Sequence, residues 1–179
     1  MLPIARQIAD AVPVLETARL RLRMPQTKDL PGFTTFWTSH RTAFMGGPWS
    51  ADDAAAEFPE LGRQWAQYGF SLFAITRPTD DRAIGLAGPF FPEGHPEPEL
   101  AWNLWQASDE GQGLATEATV AARDWFFATS GCQTAVSYTH PDNAASHRVA
   151  ERLGATVDPD AACPYPPPVR IYRHLRVAA

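Results

Sequence analysis

Cysteine is scarce: Cys132 and Cys163 are the only two in 179 residues. They form no C-x-x-C pair and are too few to staple a fold, which suits a reducing compartment. Long apolar runs are missing as well. None approaches the roughly 18 residues of a membrane-spanning helix, and the opening MLPIARQIADAVP, interrupted by Arg6, Asp10 and two prolines, is unlike a secretory signal. A soluble, cytoplasmic protein with no membrane partner is expected. Surplus positive charge is absent too. With a formal net charge of -5 and a pI of about 5.5, the chain lacks the basic field that captures nucleic acid or anionic lipid. His40, His95, His140, His147 and His174 share no ligand spacing, so no metal site is expected. What remains is ordinary globular stock, 45% hydrophobic and 11% aromatic, enough for a sizeable core. An N-terminal extension over residues 1–14 and a single domain over 15–179 are expected.

Thr17 to Met24 alternates strictly, with Leu20, Leu22 and Met24 on one face and Arg19, Arg21 and Arg23 on the other. This predicts a half-buried strand whose arginines form a solvated face rather than a phosphate track. A helix follows from Thr27 to about His40, then a loop carrying Gly46-Gly47-Pro48. Ser50 and Asp53 make a capping box for a second helix, broken or bent near Pro59. Phe70–Thr76, Ala83–Phe91 and Glu99–Trp105 read as strands joined by turn-rich links, an antiparallel meander. From Leu114 a 3.6-residue period places Leu114, Ala118, Ala121, Ala122 and Trp125 on one side of a helix. QTAVSYTH is a further strand, and a helix follows with Asp142 or Asn143 as N-cap and Gly154 as its stop. VRIYRHL is the last strand. Five of the thirteen residues from Thr156 to Pro168 are proline, so a stiff loop is expected there. The pattern predicts a mixed sheet flanked by helices, in which Glu99–Trp105 and the QTAVSYTH strand run parallel across a βαβ unit.

Between those parallel strands lies a capping problem. Gly111, Gln112 and Gly113 precede the helix at Leu114, with no Ser, Thr, Asp or Asn just before it. Helix starts leave four N–H groups without partners, and a side-chain oxygen normally takes one. A strand that stops, a glycine pair able to turn through positive φ and an uncapped helix together make an anion cradle, which a diphosphate fits. The alternative is a tight turn in which Asp109 or Glu110 folds back as the cap. A nucleotide-triphosphate loop is excluded because no Lys follows Gly113 in the G-x-x-x-x-G-K pattern. The dinucleotide fingerprint is nearly met by Gly111, Gly113 and Thr116. However, Thr replaces its third glycine, and Tyr138, Thr139 and His140 stand where a ribose-binding acid belongs.

EGQGLATEA (Glu110–Ala118), preceded by ELAWNL and followed by NAASHRVAERLGA (Asn143–Ala155), resembles the Gcn5-related N-acetyltransferases, the GNAT superfamily. The likeness is closest to their Rim-type branch, which acetylates protein N-termini. LETARLRLR and IYRHL resemble that branch too, so the resemblance runs from Leu15 to Leu175. It implies a GNAT fold: α/β in the α+β sense, a mixed, mostly antiparallel central sheet of about six to seven strands with flanking helices and a splayed parallel strand pair. It implies acetyl-CoA as cosubstrate, its pyrophosphate held by main-chain amides of Gly111, Gln112, Gly113, Leu114, Ala115 and Thr116. Glu110 stands where Gln or Arg is usual. A main-chain N–H near Leu104 or Trp105 is the implied oxyanion donor.

Glu99, opening the central strand, is the implied general base. The alternative is a strand-end carboxylate in solvent, with Glu97 on the same face. Many relatives carry a Tyr seven residues after the Asn of the last motif, but Ala150 occupies that position here. Ser146, one turn earlier on the same face, resembles the Ser near the leaving sulfur; alternatively its hydroxyl bonds back to its own helix. Asn143 is implied as a pantetheine contact and also reads as a plain N-cap. His140 is a reserve proton carrier, and Cys163 reads as an inert thiol rather than a nucleophile. Trp49 is expected at the acceptor pocket, with the loops His40–Ser50 and Thr156–Pro168 setting the acceptor.

The implied function is acetyl transfer from acetyl-CoA to a primary amine, a protein N-terminus or a small-molecule amine, by direct attack through a tetrahedral intermediate. At pH 7 an α-amine is roughly one-tenth neutral, whereas a lysine is so in only about one molecule per few thousand, so the former asks less of the base. Acetyl-CoA and the amine are the implied partners, and a homodimer is compatible with the reading. The alternative is an acyl-CoA-binding module with the same fold and no turnover, suggested by the absent Tyr and by Glu110.

Overall fold

The computed structural model describes residues 12–176. Most of the expected N-terminal extension, residues 1–11, lies outside them, as do residues 177–179. In chain order the elements are β1 (Leu15–Glu16), β2 (Arg21–Arg23), α1 (Leu30–Trp37), α2 (Ala51–Tyr68), β3 (Phe73–Arg77), β4 (Asp80–Phe90) and β5 (Glu99–Leu104). Then come α3 (Leu114–Thr129), β6 (Thr134–Thr139), α4 (Ala144–Arg152), β7 (Thr156–Val157) and β8 (Arg170–Leu175). The strands make one eight-stranded sheet of order β1-β2-β3-β4-β5-β6-β8-β7. Every neighbouring pair is antiparallel except β5 and β6, the mixed, mostly antiparallel architecture of a GNAT-like fold.

The sheet has more strands than the six to seven expected because β1 and β7 have two residues each, too few for alternation to register. β7 lies in the proline-rich segment read as a loop; it pairs with Arg173 and Tyr172 of β8 before the prolines begin. The segment Thr17–Met24 is likewise not one strand. Thr17 N–H donates to Leu20 O at 2.9 Å, closing a turn that confines β2 to three residues. Nor is its arginine stripe simply solvated. Arg23 and Asp29 are both buried, joined through Nη1–Oδ2 at 2.7 Å and Nη2–Oδ1 at 2.9 Å, with Asp81 accepting from Arg23 Nε at 2.6 Å. Charges leave water at this depth only when paired so fully.

Helices cover both faces. On one, α3 lays Leu114, Ala118, Ala122 and Phe126 against Leu22, Phe73, Ile75, Leu100 and Leu104. On the other, α1 and α2 bring Phe33, Phe36 and Phe58 against Ala74, Leu86 and Trp105. α2 runs unbroken through Pro59, which is exposed, so the missing N–H falls on the wet side of the helix. Ser50 caps it, its Oγ accepting from Asp53 N–H at 3.1 Å. Ser50→Ala is expected to cost about 1 kcal/mol, read as a lower urea midpoint with an unchanged slope. Among the described residues no helix is long and apolar enough to cross a membrane.

Candidate active site

β5 and β6 are bonded at a single register, Glu99 opposite Val136, where Val136 N–H donates to Pro98 O at 3.0 Å. A continuing parallel ladder would give the Leu100 carbonyl to a β6 amide. Instead Ser137 Oγ donates to it at 2.5 Å and lies 2.9 Å from His174 Nε2. Burial, helped by Arg123 and Arg173, lowers the His174 pKa to about 4, so a neutral ring supports this substitute bond. Beyond Leu100 the strands diverge. Trp105 N–H donates to Ile84 O at 2.9 Å, and strand alternation therefore turns the Leu104 N–H the other way, toward β6. This corrects the expectation for Trp105. Its amide is spent on β4 and its indole N–H on Asn103 Oδ1 at 3.0 Å, leaving neither for an oxyanion. The Leu104 carbonyl accepts from Arg41 Nη2 at 3.2 Å, while its N–H faces the gap.

The gap leads to the glycine bend. Gly111 and Gly113 take φ of 72° and 78°, left-handed values that side chains disfavour. Gly113 is the N-cap of α3, and among the described residues no side chain caps that helix. Both acids that could fold back are engaged elsewhere: Asp109 is buried and accepts from Arg77 Nη2 at 2.9 Å, and Glu110 pairs with Arg41. The folded-back cap is thus overturned, and the Arg41 partner explains how an acid is tolerated beside an anion cradle. Arg19 braces the bend. Its Nη1 donates to Gln112 O at 3.0 Å and its Nε to Glu117 Oε2 at 2.7 Å, while Thr17 Oγ1 donates to Glu117 Oε1 at 2.6 Å. The first N–H donated within α3 is that of Glu117, to Gly113 O at 3.0 Å. Thr116 Oγ1 is buried without a partner among the described residues. Vacant amides from Gly111 to Thr116 and an orphaned hydroxyl fit a diphosphate.

Glu99 lines a cavity of about 600 Å³ together with Asn143 and Ser146. It is 8% exposed, so it is not a solvated strand end. Burial raises its pKa to about 8, partly offset by the Tyr138 N–H. Glu97 pairs with Arg173 instead. Asn143 caps α4, its Oδ1 accepting from Ser146 N–H at 3.2 Å, and it also lines the cavity, so both roles read from the sequence are compatible. Among the described residues the Ser146 hydroxyl makes no bond back to its helix, unlike Thr119, whose Oγ1 donates to Ala115 O at 2.7 Å. Ala150 is fully buried. Trp49 and residues of both flanking loops line the same cavity, and Cys163 is exposed and free. The roles of Ser137, His174, Arg19 and Arg41 carry no local signal in the sequence, since each acts on a partner far away in the chain.

The family described as Acetyltransferase (GNAT) domain matches residues 19–156. Among solved structures, an acetyltransferase from Agrobacterium tumefaciens str. C58 is 36% identical, with a TM-score of 0.86 over 92% of this chain and 95% of that one. A Bordetella pertussis protein described as GnaT-family is 25% identical, with a TM-score of 0.74 over 90% of this chain and 98% of that one. RimL, the ribosomal L7/L12 alpha-N-protein acetyltransferase, in complex with coenzyme A, is 15% identical with a TM-score of 0.73 over 91% and 98%, a likeness that shows the fold alone. A splayed parallel pair, an uncapped helix behind a glycine bend and a family match over most of the sheet lead to one assignment: this chain belongs to the GNAT acetyltransferase family.

Proposed function

We propose that the chain is an acetyl-CoA-dependent N-acetyltransferase, of the Rim-type branch, acting on a primary amine. The observation that carries the reading is the β5–β6 splay, which starts at a buried carboxyl, Glu99, and opens toward a helix start that no side chain among the described residues caps. Acetyl-CoA supplies an acyl group activated as a thioester. The amides of Gly111 to Thr116 hold its diphosphate, and Asn143 contacts the pantetheine arm in the gap.

The amine attacks the thioester carbon, forming the C–N bond, and the negative charge that develops on oxygen is met by the Leu104 N–H. Glu99 accepts the proton the amine loses, directly or through one water. With a pKa raised to about 8 by burial, Glu99 is a stronger base than a solvated carboxylate, which suits it to take a proton from an alkylamine. The C–S bond then breaks, and Ser146 Oγ donates a hydrogen bond to the departing sulfur. A thiol of pKa about 8.5 leaves tolerably as thiolate, so this assistance is modest. The absent Tyr favours a second reading, a binding module without turnover; the buried base opposes it.

Thiol release from acetyl-CoA in the presence of a primary amine tests the reading, and release that does not depend on amine would contradict it. Ser146→Ala is expected to lower kcat by about tenfold, the equivalent of losing one neutral hydrogen bond of about 1.4 kcal/mol, with the Kd for coenzyme A unchanged. A weaker Kd with kcat intact would instead make Ser146 a binding residue.

A further inference from the structure

The cavity that holds Glu99 has an uneven wall. On one side it is aromatic. Trp49 stacks on Trp37 with centroids 3.8 Å apart and planes 12° from parallel, and Trp49 N–H donates to Trp37 O at 2.9 Å, which fixes the pair. Phe44, from the segment before α2, stacks on His140 at 5.0 Å. Tyr165, from the proline-rich connection, meets Tyr138 and His95 edge-on, each at 5.3 Å. Phe44 is 46% exposed and Tyr165 42%, so the two loops leave large apolar surface uncovered at this cavity, the kind of surface that marks a binding site. The cavity's acidic and basic lining is Glu57, Glu99, His95 and His140, and among the described residues no arginine or lysine joins them. Burial raises the Glu57 pKa and lowers that of His95, as a poorly solvated chamber requires.

Resting on the transferase reading above, we infer that the acceptor is a small primary amine on an aromatic body that carries no carboxylate, a 2-arylethylamine being the simplest case. The aromatic body covers the exposed faces of Trp49, Phe44 and Tyr165. Before it loses its proton, the ammonium group is drawn by Glu57 and by the negative ring faces. A carboxylate on the same molecule would meet two acids and, among the described residues, no arginine or lysine to pair with, a mismatch that selects against it. A protein N-terminus brings peptide groups as well, which would lose their water against an apolar wall.

The test uses the full chain saturated with coenzyme A and titrated calorimetrically with 2-phenylethylamine, L-phenylalanine, spermidine or the tripeptide Ser-Ala-Ala. Thiol release from acetyl-CoA is measured with the same four amines. The expected result is that 2-phenylethylamine binds at least about tenfold more tightly than each of the others, a factor that one lost favourable contact or one repulsion explains. Trp49→Ala is expected to remove most of that advantage without changing the Kd for coenzyme A, and Glu57→Gln to narrow the gap between 2-phenylethylamine and phenylalanine. Equal or tighter binding of phenylalanine or the tripeptide overturns the inference. The two readings fail separately. Preferred release with the tripeptide would keep the transferase and sink the aromatic acceptor, whereas preferential binding of 2-phenylethylamine with no release would do the reverse.

Discussion

Glu99→Gln is expected to lower kcat for amine acetylation by about 100-fold or more near pH 8, within the range usual for loss of a general base, while the Kd for coenzyme A stays the same. The wild-type rate follows the ionised fraction of Glu99. With its pKa raised by burial to about 8, that fraction is roughly one-tenth at pH 7 and most of the population above pH 9. The rate therefore climbs with pH and levels off above about 8. An arylamine of low basicity, neutral throughout this range, keeps the acceptor's own titration out of the profile, and the Gln variant should show no such limb.

The same burial acts against stability. Folded Glu99 keeps its proton up to about pH 8, whereas an unfolded glutamate keeps it only to about 4.5. Across that window the native state binds more protons than the unfolded one. The contribution is fully present below the unfolded value, is lost as pH rises through the folded value and is flat beyond. Glutamine carries no charge at any pH, so Glu99→Gln is expected to melt at higher temperature than wild type near pH 9 and close to it near pH 4. A variant less active and more stable is the signature of a strained functional group; one less active and less stable would make Glu99 structural.

Gly113→Ala is expected to weaken coenzyme A binding by about 10- to 100-fold, the equivalent of losing one charge-assisted hydrogen bond from an amide to a phosphate. At a φ of 78° an added Cβ costs about 1–2 kcal/mol, and relaxing that strain turns the peptide units on either side of Gly113 out of alignment. Gly69 supplies the control. It has a φ of 74°, a Cβ added there would meet nothing within 4 Å, it ends α2, and it lies outside the cradle. Gly69→Ala should lose a similar amount of stability, measured by urea unfolding, and none of the affinity. If both variants bind coenzyme A as wild type does, the bend is a turn and nothing more.

What the sequence made legible was local. The period of α3, the capping serine of α2 and the glycine pair ahead of Leu114 each declare themselves within a few residues, and the order of elements followed from them. The helix–strand alternation also placed β5 beside β6. That the two strands part after one register was available only through the resemblance, because its cause is distant: Ser137 and His174, 37 positions apart, replace an amide that alternation would have supplied. Distance also hid the fate of the arginines. A stripe of three on one strand face reads as solvent-facing until Asp29 and Asp81 arrive to bury Arg23 and Glu117 to hold Arg19. Glu110 was an oddity in the motif until Arg41, 69 positions away, paired with it. Between Leu104 and Trp105 the sequence offers no choice of oxyanion donor, since a shift of one along a strand reverses where the N–H points and only the pairing of Trp105 with Ile84 fixes which is which.

Amide resonances of isotope-labelled protein, followed through titration with coenzyme A and separately with pantetheine, test the cradle most directly. Downfield movement of the Gly111, Gly113, Ala115 and Thr116 amides with coenzyme A, and none with pantetheine, which lacks the diphosphate, is the expected result. Saturation by coenzyme A that leaves those four amides where they began would contradict it.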